Sequence, residues 1–204
     1  MDGILVIDKP KGFTSHDIVS IARKSLNEKK IGHIGTLDPN ATGVLPLLIG
    51  KATKISKYLI EHDKEYIATI TLGKKTVTGD IEGKIIENDA NLDKILNNLN
   101  TDKIENILKS FKGKQKQIPP AYSAIKINGK KAYEYARAGQ DIEMPKRNIE
   151  IHEIVLLEFT QNKIKFKTMC SKGTYIRTLC EDIAKKLRNN WIYGKFTKNK
   201  SRYI

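Results

Sequence analysis

Asp38 lies in the loop Gly32-His33-Ile34-Gly35-Thr36-Leu37-Asp38-Pro39-Asn40-Ala41-Thr42-Gly43, where three glycines and one proline fall within twelve residues. A carboxylate held on such a loop can serve as a nucleophile or a general base. Pro39 biases Asp38 towards extended backbone. Asp-Pro is also a common turn former, so taken alone the dipeptide leaves both readings open. Other chemistries find less support. His16, His33, His62 and His152 show no HExxH or His/Cys ligand spacing, and no metal is implied. Gly50-Lys51-Ala52-Thr53 echoes the end of a phosphate loop, but Leu45 replaces its leading glycine and Ala52 its hydroxyl residue. No GxSxG elbow occurs. Cys170 and Cys180 form no CxxC pair and cannot build a disulfide framework, so a reducing, cytoplasmic setting is expected.

The charge balance points to a polyanionic partner. Among 204 residues, 37 Lys and Arg face 23 Asp and Glu, a formal net charge of +14. Residues 163–204 carry twelve basic side chains against Glu181 and Asp182 alone, with Tyr175, Trp191, Tyr193, Phe196 and Tyr203 interspersed. Basic groups neutralise phosphates and aromatic faces accept unstacked bases, so the mixture suits RNA better than a solvated face or a membrane. The start MDGILVIDKPKG has no basic leader, and Val44 to Ile49 is far short of the roughly 20 apolar residues that span a bilayer.

The elements that must position these groups follow from periodicity. Ile4 to Ile7 reads as a buried strand ending in a turn, and Thr14 or Ser15 caps a helix with Ile18, Val19, Ala22 and Leu26 on one face. Ala52 to Ile60 reads as helical. Tyr66, Ala68, Ile70 and Leu72 alternate as a half-buried strand. Leu92, Ile95, Leu96 and Leu99, then Ile104, Ile107 and Leu108, mark two helices with Asp102 as the expected cap between them. Val155–Phe159 and Lys163–Met169 form a hairpin, and Thr178 to Leu187 a closing amphipathic helix. The fold class is α+β, a mixed sheet with helices against it.

GHIGTLDPNATGVLPLLIGKATK is very similar to the catalytic segment of the TruB family of tRNA pseudouridine synthases. The resemblance runs on in order through LVIDKPKGFTSHD, DKEY, LGKKTVTGDIEG, IPPAYSAIKINGKKAYEYARAG and CSKGTYIRTLCEDIAKKL, over nearly the whole chain. It implies a pseudouridine synthase catalytic fold over 1–187, with a mixed, mainly antiparallel sheet flanked by helices and loops. Residues 188–204 are then a divergent, shortened tail with no separate RNA-binding domain. Gly194-Lys195-Phe196 echoes the family's ending, while its Leu-Arg-Arg segment has no clear counterpart; Ile34 and Asn40 depart from the usual Thr and apolar residue.

The resemblance implies isomerisation of uridine-55 in the T loop of tRNA, by a monomer and without a cofactor. It makes Asp38 the catalytic carboxylate, Arg177 its partner, and Tyr66 the ring that stacks on the flipped uracil. His33 falls near the space the base vacates and Tyr175 lines the pocket. Lys9, Lys11, Lys126, Lys130 and Lys131 grip phosphates. A competing reading is a shortened protein that binds and remodels tRNA without modifying it.

Overall fold

The computed structural model describes residues 1–77, 84–88, 90, 92–187 and 192–201. In chain order its elements are β1 (Gly3–Lys9), α1 (Ser15–Ser25), β2 (Ile31–His33), β3 (Thr42–Ile49), a 3-10 turn (Gly50–Ile55), α2 (Ser56–Leu59), β4 (Lys64–Leu72), β5 (Lys74–Thr76) and β6 (Ile85–Asn88). There follow α3 (Leu92–Leu96), α4 (Thr101–Lys109), β7 (Gly113–Gln117), β8 (Lys126–Ile127), β9 (Lys130–Lys131), α5 (Ala132–Arg137), β10 (Arg147–Thr160), β11 (Lys163–Cys170), α6 (Ile176–Lys186) and β12 (Ile192–Ser201).

The architecture is α+β. One sheet runs β1-β3-β12-β4-β11-β10-β7, with β2 also on β3. Every pairing in it is antiparallel except β12 with β3, where Thr197 lies opposite Thr42 and Lys198 opposite Gly43. On its other side β12 pairs antiparallel with β4, from Ile192 opposite Leu72 to Ser201 opposite Lys64. The last described strand is therefore the seam between a β1–β2–β3 part and a β4–β11–β10–β7 part.

Each part buries its own core. On the larger, Ala68, Ile70 and Leu72 of β4 meet Ile164 and Phe166 of β11 and Ile149, Ile151 and Ile154 of β10. Above them lie Ile104 and Leu108 of α4 and Ile176, Leu179, Cys180, Ile183 and Ala184 of α6, the spacing of one helical face. On the smaller, Ile18, Val19 and Ala22 of α1 pack on Leu45, Leu47 and Ile49 of β3, together with Leu37 and Ala41 from the Asp38 loop. That loop is thus part of a core rather than a free strap.

Several expectations are corrected. Strand β1 is an edge strand, with Ile4, Leu5 and Val6 exposed, because no element covers its outer side among the described residues. The segment read as helical from Ala52 is a 3-10 turn followed by one α-helical turn. Asn100, two residues earlier than Asp102, caps α4 by accepting the Lys103 N–H at 2.9 Å. Residues 192–201 form β12 inside the sheet, between β3 and β4. Arg188, Trp191, Arg202 and Tyr203, and part of LGKKTVTGDIEG, lie outside the described residues.

Helix α1 starts as its sequence dictates. Thr14 Oγ1 accepts the Asp17 N–H at 3.0 Å while the Asp17 carboxylate accepts the Thr14 N–H at 2.8 Å, a reciprocal cap. These bonds to Thr14 hold the Asp17 pKa below the ordinary aspartate value. A depressed carboxyl stabilises the fold fully above its unfolded pKa and loses that contribution as pH falls through its folded one. The melting-temperature gap between the wild type and Asp17→Asn, followed from neutral pH into acid, is expected to narrow below the normal aspartate range.

Candidate active site

Asp38 is fixed by its neighbours on both sides. Ser15, buried at the start of α1, uses one hydroxyl twice: it accepts the Leu37 N–H at 2.9 Å and donates to the Leu37 carbonyl at 3.2 Å. Beyond Asp38, the Pro39 carbonyl accepts the Gly12 N–H at 2.9 Å and the Lys9 ammonium at 3.1 Å. The Ala41 N–H closes the turn on the Asp38 carbonyl at 3.0 Å. Gly35 and Gly43 have φ of 76° and 108°, which side chains rarely adopt, so glycines belong where the loop leaves β2 and enters β3. The reason the sequence folds this way is that the KPKGFTS segment and the LDPN segment satisfy one another's backbone.

Lys9 does not reach a phosphate. It is 0% exposed, and its Nζ donates to the carbonyls of Pro10 at 2.9 Å, Phe13 at 2.7 Å and Pro39 at 3.1 Å. Burial lowers its pKa, opposed by the charges of Asp38 and Asp17. The expected phosphate grip is replaced by a structural one, because three inward carbonyls outcompete solvent for the ammonium. Lys9→Met would leave those carbonyls without their donor. Charge-assisted bonds contribute about 1.5–3 kcal/mol each and not additively, so the expected loss is about 3 kcal/mol, read as a fall of roughly 6–12 °C in a thermal melt.

Opposite the loop, Arg177 enters from the first turn of α6. Its Nε lies 2.9 Å from Asp38 Oδ2 and its Nη2 donates to Asp38 Oδ1 at 3.4 Å, a side-on two-point contact. The same Nη2 donates to the Tyr122 carbonyl at 2.9 Å. The Arg177 side chain is 9% exposed and that of Asp38 31%. The cation is thus sealed in while its carboxylate keeps an open side.

Tyr66 projects from β4 on the face of Ala68 and Ile70 and packs partly buried against the larger core. Burial raises its phenol pKa, and the charges of Cys170 and Asp38 add to the effect, so it is a neutral ring at the edge of the acid's field. Burial likewise pushes the Cys170 thiol up to about 12 and raises that of Cys180, so neither is a thiolate nucleophile at neutral pH. His33 ends β2, and its Nδ1 lies 3.0 Å from the Gly35 carbonyl, which requires the proton on Nδ1. Tyr175 is the N-cap of α6, partly buried. Lys126 is exposed on the β8–β9 hairpin, where it lies opposite Lys131, and Ile127 opposite Lys130. The turn between them is Asn128-Gly129, both at positive φ.

The structure therefore pairs Arg177 with Asp38, keeps Tyr175 on the element that delivers Arg177, and sets Lys126 on the β8–β9 hairpin. Sequence reading missed Ser15, whose signal was its place directly after the cap Thr14. It also missed the Tyr122 carbonyl and Gln117. Among the described residues, no three His, Cys, Asp or Glu side chains group as metal ligands, and no helix is long and apolar enough to cross a membrane.

The profile of the TruB family pseudouridylate synthase N-terminal domain matches residues 23–176, three quarters of the chain. The chain belongs to the TruB family. Its relatives include proteins named tRNA pseudouridine synthase B from Alkaliphilus oremlandii, 54% identical over 92% of this chain, and from Bacillus cereus, 48% identical over 92%. It spans only about 60% of the length of those TruB relatives. Among solved structures it is similar to a chain of a Cbf5-Nop10-Gar1 complex, with a TM-score of 0.73 and 30% identity over 98% of this chain and 48% of that one. A second, from an H/ACA RNP bound to a substrate RNA containing 2'-deoxyuridine, has a TM-score of 0.68 and 28% identity over 98% of this chain and 47% of that one. Arg177, the partner of Asp38, falls just beyond the matched TruB segment.

Proposed function

We propose that this chain isomerises uridine in tRNA to pseudouridine, at position 55 of the T loop. The observation that carries the reading is the Arg177–Asp38 pair, with a sealed cation and a carboxylate that keeps an open side. Relatives named tRNA pseudouridine synthase B supply the substrate class.

The reaction breaks the bond from ribose C1′ to uracil N1 and forms one from C1′ to C5. The C5 proton leaves and N1 gains one, so atoms and electrons balance without a cofactor. Cleavage builds positive character on the ribose, which an anionic oxygen beside C1′ stabilises, as nucleophile or as base. Asp38 is that oxygen. Arg177 keeps its orientation through two parallel contacts that a point charge would not reproduce. The base must first leave its stack at a cost of a few kcal/mol, and an aromatic platform returns about 1–3 kcal/mol per base. Tyr66 is the platform, and its flat face tolerates the rotation of uracil in its own plane. His33 borders the vacated space and Tyr175 the pocket wall. Lys126, Lys130 and Lys131 grip the phosphates, so affinity falls steeply with salt.

The test is tritium release from tRNA transcripts labelled at uracil C5. One tritium per tRNA, lost when uridine-55 is replaced by cytidine, is the expected result. Release that survives the replacement moves the site to another uridine. Binding without release makes the chain a tRNA remodeller.

A further inference from the structure

We infer that Gln117 is a positioning residue that sets Arg177 against Asp38. The inference rests on the proposed reaction, since its rate is one of the three readouts.

Gln117 ends β7 and is 3% exposed. A buried amide must find partners for both its donor and its acceptor, or it destabilises the fold. Gln117 spends both on one residue 58 positions away: its Oε1 accepts the Tyr175 N–H at 2.8 Å, and its Nε2 donates to the Tyr175 carbonyl at 3.1 Å. A side chain thereby reads the backbone of Tyr175 as a neighbouring strand would.

Tyr175 is where α6 begins. It is extended, with φ −93° and ψ 109°, and its side chain makes no capping bond. Its carbonyl also accepts the Leu179 N–H at 3.0 Å, the first bond of the helix. Fixing this residue fixes the origin of the helix, and Arg177 stands two residues further on. The Arg177 guanidinium is then tied to the Tyr122 carbonyl, five residues beyond Gln117 on the same chain. One segment, 117–122, therefore holds the arginine at both ends: its backbone origin through Gln117 and its tip through Tyr122. The remaining direction of the fork is Asp38. A shift of about 1 Å at a site of this kind costs on the order of 10²-fold in rate.

The experiment uses Gln117→Met, which keeps the volume and removes both bonds, and Gln117→Glu, which keeps the acceptor alone. Ile151→Val, in the same core, serves as the control for simple destabilisation. Single-turnover rate at saturating tRNA, tRNA affinity and hydrogen exchange over 171–179 are read on each. Gln117→Met is expected to slow the step about 10–100-fold with affinity within about 2-fold, Gln117→Glu to fall between it and the wild type, and Ile151→Val to leave the rate unchanged. Combined with Arg177→Lys, the Gln117→Met loss is expected to be less than additive, because both act through one contact. Exchange over 171–179 is expected to quicken in Gln117→Met whether or not the chain turns over.

The inference is overturned if Gln117→Met slows the rate no more than Ile151→Val, if the double variant is additive, or if exchange is unchanged. A wild type that releases no tritium defeats the functional reading instead, and exchange then decides the clamp alone.

Discussion

Asp38→Asn is expected to abolish tritium release, by at least about 10⁴-fold, while tRNA binding stays within a few-fold of the wild type. Asparagine keeps the shape, and the turn around it is held by backbone groups of Leu37, Pro39 and Ala41 rather than by the carboxylate. The Ser15, Lys9 and Gly12 contacts therefore survive, and the loop stays where it is. What disappears is the negative oxygen that stabilises charge at C1′. An amide is neither a nucleophile nor a base near neutral pH. Measuring release and filter binding on the same preparation separates the two effects. Residual release above about 1% of wild type would remove Asp38 from the chemistry.

Arg177→Met is the second large effect, and it falls on both stability and rate. Removing one partner of a buried pair destabilises by about 3–5 kcal/mol. Because the Asp38 side chain is 31% exposed, water relieves part of that charge, and the lower end of the range is expected. The Tyr122 carbonyl loses its donor at the same time. Turnover is expected to drop by about 10²-fold or more as the carboxylate loses its two-point anchor. Arg177→Lys keeps the charge but not the fork, so it should recover stability better than rate. A lysine variant with full activity would show that charge alone suffices.

Local pattern carried much of the secondary structure and little of the assembly. The Tyr66–Leu72 alternation and the α6 stripe could be read directly, because burial of one face leaves a period of 2 or 3.6 in the sequence. Thr14 was legible as a cap for the same local reason. The α4 cap was misplaced because Asn100 and Asp102 are both good caps, and backbone geometry, not type, chooses between them. Lys9 reads as a solvent cation in any scheme that scores residues singly. Only the fold reveals three carbonyls converging on it. Likewise β12 is a basic stretch whose two strand partners, β3 and β4, lie far from it in sequence. The Arg177–Asp38 pairing was legible through family resemblance alone, since 139 residues separate the two and no periodicity links them.

The seam made by β12 has a consequence for how the protein folds as it is made. As the chain emerges from a ribosome, the part bearing the acid can collapse early around α1 and β3, and the part bearing the arginine can follow once α6 is out. Among the described residues, the sheet that joins them is continuous only through Ile192–Ser201. A nascent polypeptide stalled short of that stretch would hold the acid and the arginine without the girder that joins their two parts of the sheet, so alignment waits on a single strand.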